Sequence, residues 1–310
     1  MADEILYSGI GDQTVAAQLG SFYTLLLADR DASALRHPAL IDAGLGMPGS
    51  LVMQIPQLGL FGYDQMTDGT EGTAPANTAL TDGNDQITLA IIEKIYEHGD
   101  LARMGDAFGV FDPETFAIDM TVSVAMTLLN KIAALSTGFS GNVVGTTTVD
   151  LVNQDFLDGI TKLRIANVTG ELCSLLHPQQ IGDLGTDSFS LGGAVQMRAD
   201  MQGIAAYTSG SYQGKLLNVD VFQSSQCPTA GGDVNGMIFG RGAILHGRGQ
   251  FRAESDANII DLAVPGSPIV GRLERSRAGR SGLTSWISRA VIGVIEGQDL
   301  AGCRVRSDAP

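Results

Sequence analysis

The chain has 310 residues and a formal charge of −15, from 19 basic and 34 acidic side chains. A chain this long can bury a substantial core, but so acidic a balance excludes broad binding to nucleic-acid phosphates, which requires clustered Lys and Arg. No run of about 18 apolar residues occurs, and the opening MADEILYSG lacks the basic and apolar regions of a signal peptide, so the chain is expected to be soluble, neither membrane-spanning nor exported. Cys173, Cys227 and Cys303 form no C-x-x-C pair and are too scattered for a disulfide framework. The charge is uneven: residues 1–240 carry 9 basic and 27 acidic residues, whereas 241–310 carry 10 Arg against 7 acids. Forty glycines with 6% aromatic and 44% apolar residues fit a turn-rich mixed α and β protein, too apolar for disorder.

In chain order, Asp12 can cap a helix running to about Ala28, with Val15, Leu19, Phe22 and Leu26 on one side. Pro38 closes the connector that follows. Ser50 to Gln57 and Gln86 to Glu97 have strand character, the latter alternating Ile87, Leu89 and Ile91 before Ile92 breaks the pattern. Between them, residues 57–86 hold Asp64, Asp68, Glu71, Asp82 and Asp85 and no Lys, Arg or His. A stretch of that length reads either as a surface loop or as a two-stranded excursion, which would need something to lie on. A neighbouring copy of the chain is one such support.

Asp112 to Thr137 is the longest helical signal. Asp112 suits the N-cap and Pro113 the first turn. Phe116, Met120, Val124, Leu128 and Ile132 recur every four residues, and Gly138 is the expected stop. A helix of this length spans about 39 Å. Its stripe should pack on the chain's own sheet, including the closing strand near Trp286. A second helix is predicted over Asn153 to Ala166, a buried strand at ELCSLL ending at His177-Pro178, and a third helix in GAVQMRADMQGIAAY. GKLLNVDVFQSS, NGMIFGRGAIL, the region through ANIIDLAV and finally SGLTSWISRAVIGVIEG read as strands.

Catalytic patterns are weak. Gly44, Gly46 and Gly49 spell G-x-G-x-x-G, but a dinucleotide fingerprint must open a helix, and here Pro48 and a strand-like segment intervene. Cys173 and His177 stand about 13 Å apart on an extended strand, too far for a thiol–imidazole pair. Ser140 and Ser211 miss the G-x-S-x-G elbow, and the isolated histidines supply no zinc set. No catalytic, cofactor or metal residue is assigned. Arg272, Arg275, Arg277 and Arg280 in GRLERSRAGRSG read either as a solvated basic loop or as a docking surface for carboxylates, which guanidinium groups bind through paired hydrogen bonds. The carboxylates of 57–86 are the candidate partners.

The order and spacing of MADEILYSGIGDQTVAAQLGSFYTLLLADRD, EGTAPANTALTDG, LHPQQIGDL, YQGKLLNVDVFQSSQCP, GMIFGRGAIL and RSRAGRSGLTSWISRAVIGVIEG resemble the major capsid proteins of tailed double-stranded DNA bacteriophages, with the Hong Kong 97-type fold. The resemblance implies an α+β chain. Residues 1–45 would form an N-terminal arm and 46–97 an extended β-hairpin E-loop. Residues 98–149 would form a P-domain with its spine helix at 112–137, 150–240 a mixed α/β A-domain, and 241–310 the A-domain exit and return strands to the P-domain. It further implies a structural, non-enzymatic subunit that assembles with itself as pentamers and hexamers into an icosahedral virion capsid around double-stranded DNA, without sequence-specific binding. Assembly would take place in the host bacterial cytoplasm, with a separate scaffolding protein, a portal and possible decoration proteins as partners, and no cofactor. Two departures from the family are expected: the arm starts almost at once, which implies a separate scaffolding protein or an already mature chain, and 57–86 lacks the lysine through which some relatives crosslink. An encapsulin-like bacterial nanocompartment shell is the nearest alternative, and a soluble α/β enzyme a more distant one.

Overall fold

A computed structural model of the chain describes residues 34–35, 37–46, 50–58, 82–99, 113–190, 212–230, 232–249, 251, 259–263, 270–278 and 283–308. The helices expected over 12–28 and in 193–207 lie outside these residues, as do Asp64, Asp68, Glu71, Asp112 and Arg280.

Three sheets organise the described residues. The first joins β1 (Ile41–Leu45), β11 (Ile244–Arg248), β14 (Leu283–Glu296), β13 (Val270–Ala278) and β12 (Ile259–Ala263) in that order, with β4 (Ala90–Gly99) also paired to β14. The second runs β5 (Val143–Val144), β15 (Gly302–Asp308), β10 (Asp233–Phe239), β6 (Leu172–Leu176), β8 (Val219–Gln223), β7 (Tyr212–Leu216), with β9 (Thr229–Ala230) beside β10. The third is a two-stranded ribbon of β2 (Val52–Leu58) and β3 (Asp82–Thr88), joined by seven antiparallel residue pairs. Both ends of the acidic stretch are therefore strand. The single strand expected over Gln86 to Glu97 is two strands broken at Leu89, whose N–H turns to the Leu51 carbonyl at 2.8 Å. That break explains the loss of alternation at Ile92: the chain leaves the ribbon and enters the main sheet there.

The long helix α1 spans Pro113–Ala134 and tightens into a 3-10 turn at Leu135–Thr137. Its stripe is the predicted one where side chains are described. Ala125, Leu128, Leu129, Ile132 and Ala133 are buried together with Ala290 and Ile292 of β14 and with Leu175, Phe222, Met237 and Phe239 of the second sheet. This core therefore joins the two sheets through one helix. Gly138 follows the last turn as expected, but not as the left-handed cap that glycine commonly supplies. It keeps right-handed backbone, φ −74° and ψ −37°, and a Cβ there would stand within 2.3 Å of the Glu296 carboxylate.

A second core lies under α2 (Asn153–Ile165) and α3 (Pro178–Ser190), where Phe156, Leu163 and Leu184 meet Leu172, Leu176, Ile238 and Val305. α2 follows its predicted bounds, but α3 was not expected. His177 is its N-cap: Nδ1 accepts the Gln179 N–H at 3.2 Å, and the Gln180 side chain reaches back to the His177 N–H at 3.2 Å. This reciprocal arrangement satisfies two donors that a helix start leaves without partners. Asp187 of α3 in turn accepts the Asn153 N–H at 2.8 Å, at the start of α2.

The segment GRLERSRAG, for which a solvated loop was one reading, is β13 up to Ala278, paired along eight residues with β14. Four strands escaped the reading altogether, β1, β5, β9 and β15. Each is short or glycine-bearing and carries no alternation of its own; β1 and β15 are held by pairing with strands distant in the chain.

Candidate inter-subunit surface

Strands β13, β14 and β4 lie side by side in register, which places Arg275, Trp286 and Tyr96 in one row. Residues paired directly across an antiparallel ladder share a face. The row below holds Leu273, Ser288 and Lys94, and the row above holds Arg277, Thr284 and His98. The Arg275 guanidinium sits 5.6 Å from the centre of the Trp286 ring, and Lys94 Nζ lies 4.9 Å from that of Tyr96. Trp286, Thr284, His98 and Leu273 are buried, whereas Arg275 and Lys94 are exposed. The face thus carries cations held over aromatic rings. Lys94 also donates to Ser123 Oγ of α1 at 2.7 Å, so the helix borders this surface.

The opposite face is different in character. Arg289 Nη1 binds both Glu274 oxygens at 2.7 and 2.8 Å, and its Nε lies 3.4 Å from Glu93. Ile91 and Ile95 alternate with these acids on β4 and are 55% and 50% exposed. Arg272 belongs here too, but it is 5% exposed and stacks 4.8 Å from the Phe251 ring. The four arginines singled out from the sequence are therefore not equivalent. Arg275 is exposed on one face, Arg272 is buried on the other, Arg277 is fixed as a β13 position next to Thr284, and Arg280 lies outside the described residues.

Of the acids, Asp82 and Asp85 are on β3, facing Leu58 and Ile55 in the ladder. The foot of this ribbon packs on the main sheet. Ile87, Met53 and Ile55 meet Leu89, Leu245 and Val291 there. Lys94 and Tyr96 were not picked out beforehand. Their signal was the Lys and Tyr alternating within EKIYEH, which register with β14 turns into neighbours of Trp286.

Catalytic alternatives find little support. The His177 ring is engaged as a helix cap, and Cys173 is fully buried, its thiol pushed well up by burial and by the Asp220 charge. Gly44 lies within β1 and Gly46 just after it, and among the described residues the next element is the strand β2, not a helix. Among the described residues no group of His, Cys, Asp and Glu can hold a metal ion, and no helix is long and apolar enough to cross a membrane.

No protein-family profile and no curated protein matches the sequence. Solved structures do match. The capsid of Ralstonia phage GP4 aligns at TM-score 0.62 with 10% identity, covering 88% of this chain and 87% of that one. The capsid of the cyanophage P-SCSP1u aligns at 0.56 with 13% identity, over 86% of each chain. The SrpI encapsulin complex from Synechococcus elongatus aligns at 0.56 with 10% identity, over 87% and 85%. The chain thus has the mixed α and β fold of phage capsid structures across most of its length. At such identities the likeness is one of fold, and what those shells enclose is a property of those proteins.

Proposed function

We propose that this chain is the major capsid protein of a tailed bacteriophage. It assembles with itself, as pentamers and hexamers, into an icosahedral virion shell around double-stranded DNA. The observation that carries this reading is the match to phage capsids over nearly the whole length of both chains. In the Hong Kong 97-type arrangement, α1 is the spine helix of a P-domain spanning 98–149. The ribbon β2–β3 is the base of an E-loop over 46–97, and residues 1–45 form an arm. Residues 150–240 form the A-domain, and 241–310 supply its exit and return strands. The role is structural rather than enzymatic. Scaffolding, portal and decoration proteins are its expected partners, with assembly in the host cytoplasm.

The Arg275–Trp286 face is proposed to receive Asp64, Asp68, Glu71, Asp82 or Asp85 from a neighbouring copy, with Arg277 and Arg280 contributing charge; Arg272, buried on the other face, takes no direct part. The overall negative charge also suits a container that must not cling to packed DNA. Sedimentation velocity of the purified chain, with scaffold if required, tests the reading. Fast-sedimenting closed particles support it, and a strict monomer under every assembly condition contradicts it. The encapsulin match favours a second reading, a protein-cargo shell. Particles purified from the native host distinguish the two: packaged double-stranded DNA selects the capsid, and DNA-free particles loaded with an enzyme select the nanocompartment.

A further inference from the structure

The two-residue turn between β7 and β8 has an unusual occupant. Leu217 and Asn218 close it with φ of 50° and 70°, between Leu216 and Val219, which pair across the hairpin. Positive φ at both central residues is the type I′ pattern, for which Asn-Gly is the favoured sequence. Asn218 suits it, but a leucine there holds its Cβ against the following carbonyl. Core packing does not offset that strain: Leu217 is 42% exposed and belongs to neither core of the second sheet. Backbone strain without a packing gain points to a side chain used for contact.

The opposite edge of the same sheet has a matching feature. Thr148 follows β5 with φ 65°, an outlier for a β-branched residue, and its N–H donates to Asp233 Oδ1 at 3.2 Å. Val149 is pinned beside it, its carbonyl accepting the Asp308 N–H at 3.0 Å, yet its side chain is 52% exposed. Val152, at the N-cap of α2, is 36% exposed. Five strand spacings separate β5 from β7, about 24 Å. The two features also lie at opposite ends of the strands, Val149 beside the Asp233 end of β10 and the hairpin at its Phe239 end. Within one chain they cannot touch.

We propose that the β7–β8 hairpin and the Thr148–Val152 turn are the two halves of one head-to-tail contact, Leu217 of one copy packing on Val149 and Val152 of the next. Charge favours the same pairing. Lys215 on β7, 3.4 Å from Asp220, keeps 44% of its side chain exposed, and Asp150 and Asp155 flank the two valines. Halves at opposite edges of a sheet cannot pair symmetrically, so the contact runs from copy to copy and makes a ring when the rotation closes. This inference rests on the shell reading and specifies which edges of the second sheet meet.

Leu217→Gly removes the tip and relaxes the turn. The unassembled variant should keep or raise its urea midpoint. The chain concentration at which particles first form should rise about tenfold, the loss expected for one leucine left unburied. An unchanged concentration overturns the contact. Leu217→Cys combined with Val149→Cys, treated in assembled particles with a short bismaleimide, checks the partners directly. The native thiols are buried, so chains should link only through the new pair, giving a ladder of joined chains that neither single variant gives. No ladder from the double variant, or a ladder from a single variant, overturns the proposal. A native chain that never assembles fails the shell reading itself, whereas particles without these links fail this inference alone.

Discussion

At Gly293 an added Cβ would stand 2.5 Å from Ile87 Cγ2 and 2.6 Å from the Thr88 carbonyl oxygen. A side-chain tip can move aside, but a backbone oxygen on a paired strand cannot do so cheaply. Gly293→Ala should therefore cost about 1–3 kcal/mol by overpacking, read as a lower urea midpoint, and should loosen the foot of the ribbon first. The three thiols make a second case. Burial pushes Cys227 and Cys303 up to about 12, and Cys173 is raised as well. The thiolate is the reactive form, so a thiol reagent at pH 8 should label no cysteine in the native chain and three after denaturation. One fast-reacting native cysteine would contradict this packing.

The elements differ in how openly the sequence declares them. α1 was legible because apolar residues recur every four positions from Phe116 to Ile132, over about four and a half turns, a pattern no strand can produce. α3 was not, because Gly182 and Gly185 interrupt PQQIGDLGTDSFS and its burial rests on Leu184 and Gln180. The signal that would have revealed it is local: His177-Pro178 followed by Gln at the third helical position is a helix start rather than only a strand end. Burial lowers the His177 pKa, and the neutral ring is the form that accepts the Gln179 N–H. Its contribution is therefore full above the ordinary 6.5 and declines as pH drops below it. His177→Asn, which keeps an acceptor that does not titrate, should remove that part of the pH dependence of the urea midpoint between pH 7.5 and 5.5. His177→Ala should cost about 1 kcal/mol at neutral pH. An unchanged pH profile in His177→Asn would rule out the cap as its source.

On the scale of the whole molecule, the sequence conveyed the order of elements and the uneven charge but not which strands meet. β15 joins β10 and β5, and β14 gathers β4, β11 and β13, through pairings between residues up to about two hundred positions apart. Register of that kind comes from burial and tertiary closure, which periodicity does not encode. This is why the arginine cluster resolved into one exposed side chain and one buried one. Arg275→Glu removes a cation–π contact of about 0.5–1 kcal/mol, too little to unfold a domain of ordinary stability. The monomer should keep its circular dichroism and thermal midpoint within a few degrees, yet the yield of assembled particles should fall. Charge reversal at Asp64, Asp68 or Glu71 should partly restore it. Normal particle yield from Arg275→Glu would count against this contact.

The central claim is that the chain builds a closed shell, and electron microscopy of the expressed protein tests it most directly. Uniform, closed icosahedral particles, many times the diameter of one subunit and resolving into pentamers and hexamers, are the predicted result. A field containing only monomers or irregular aggregates, with folded protein confirmed in solution and scaffold supplied, would contradict the account.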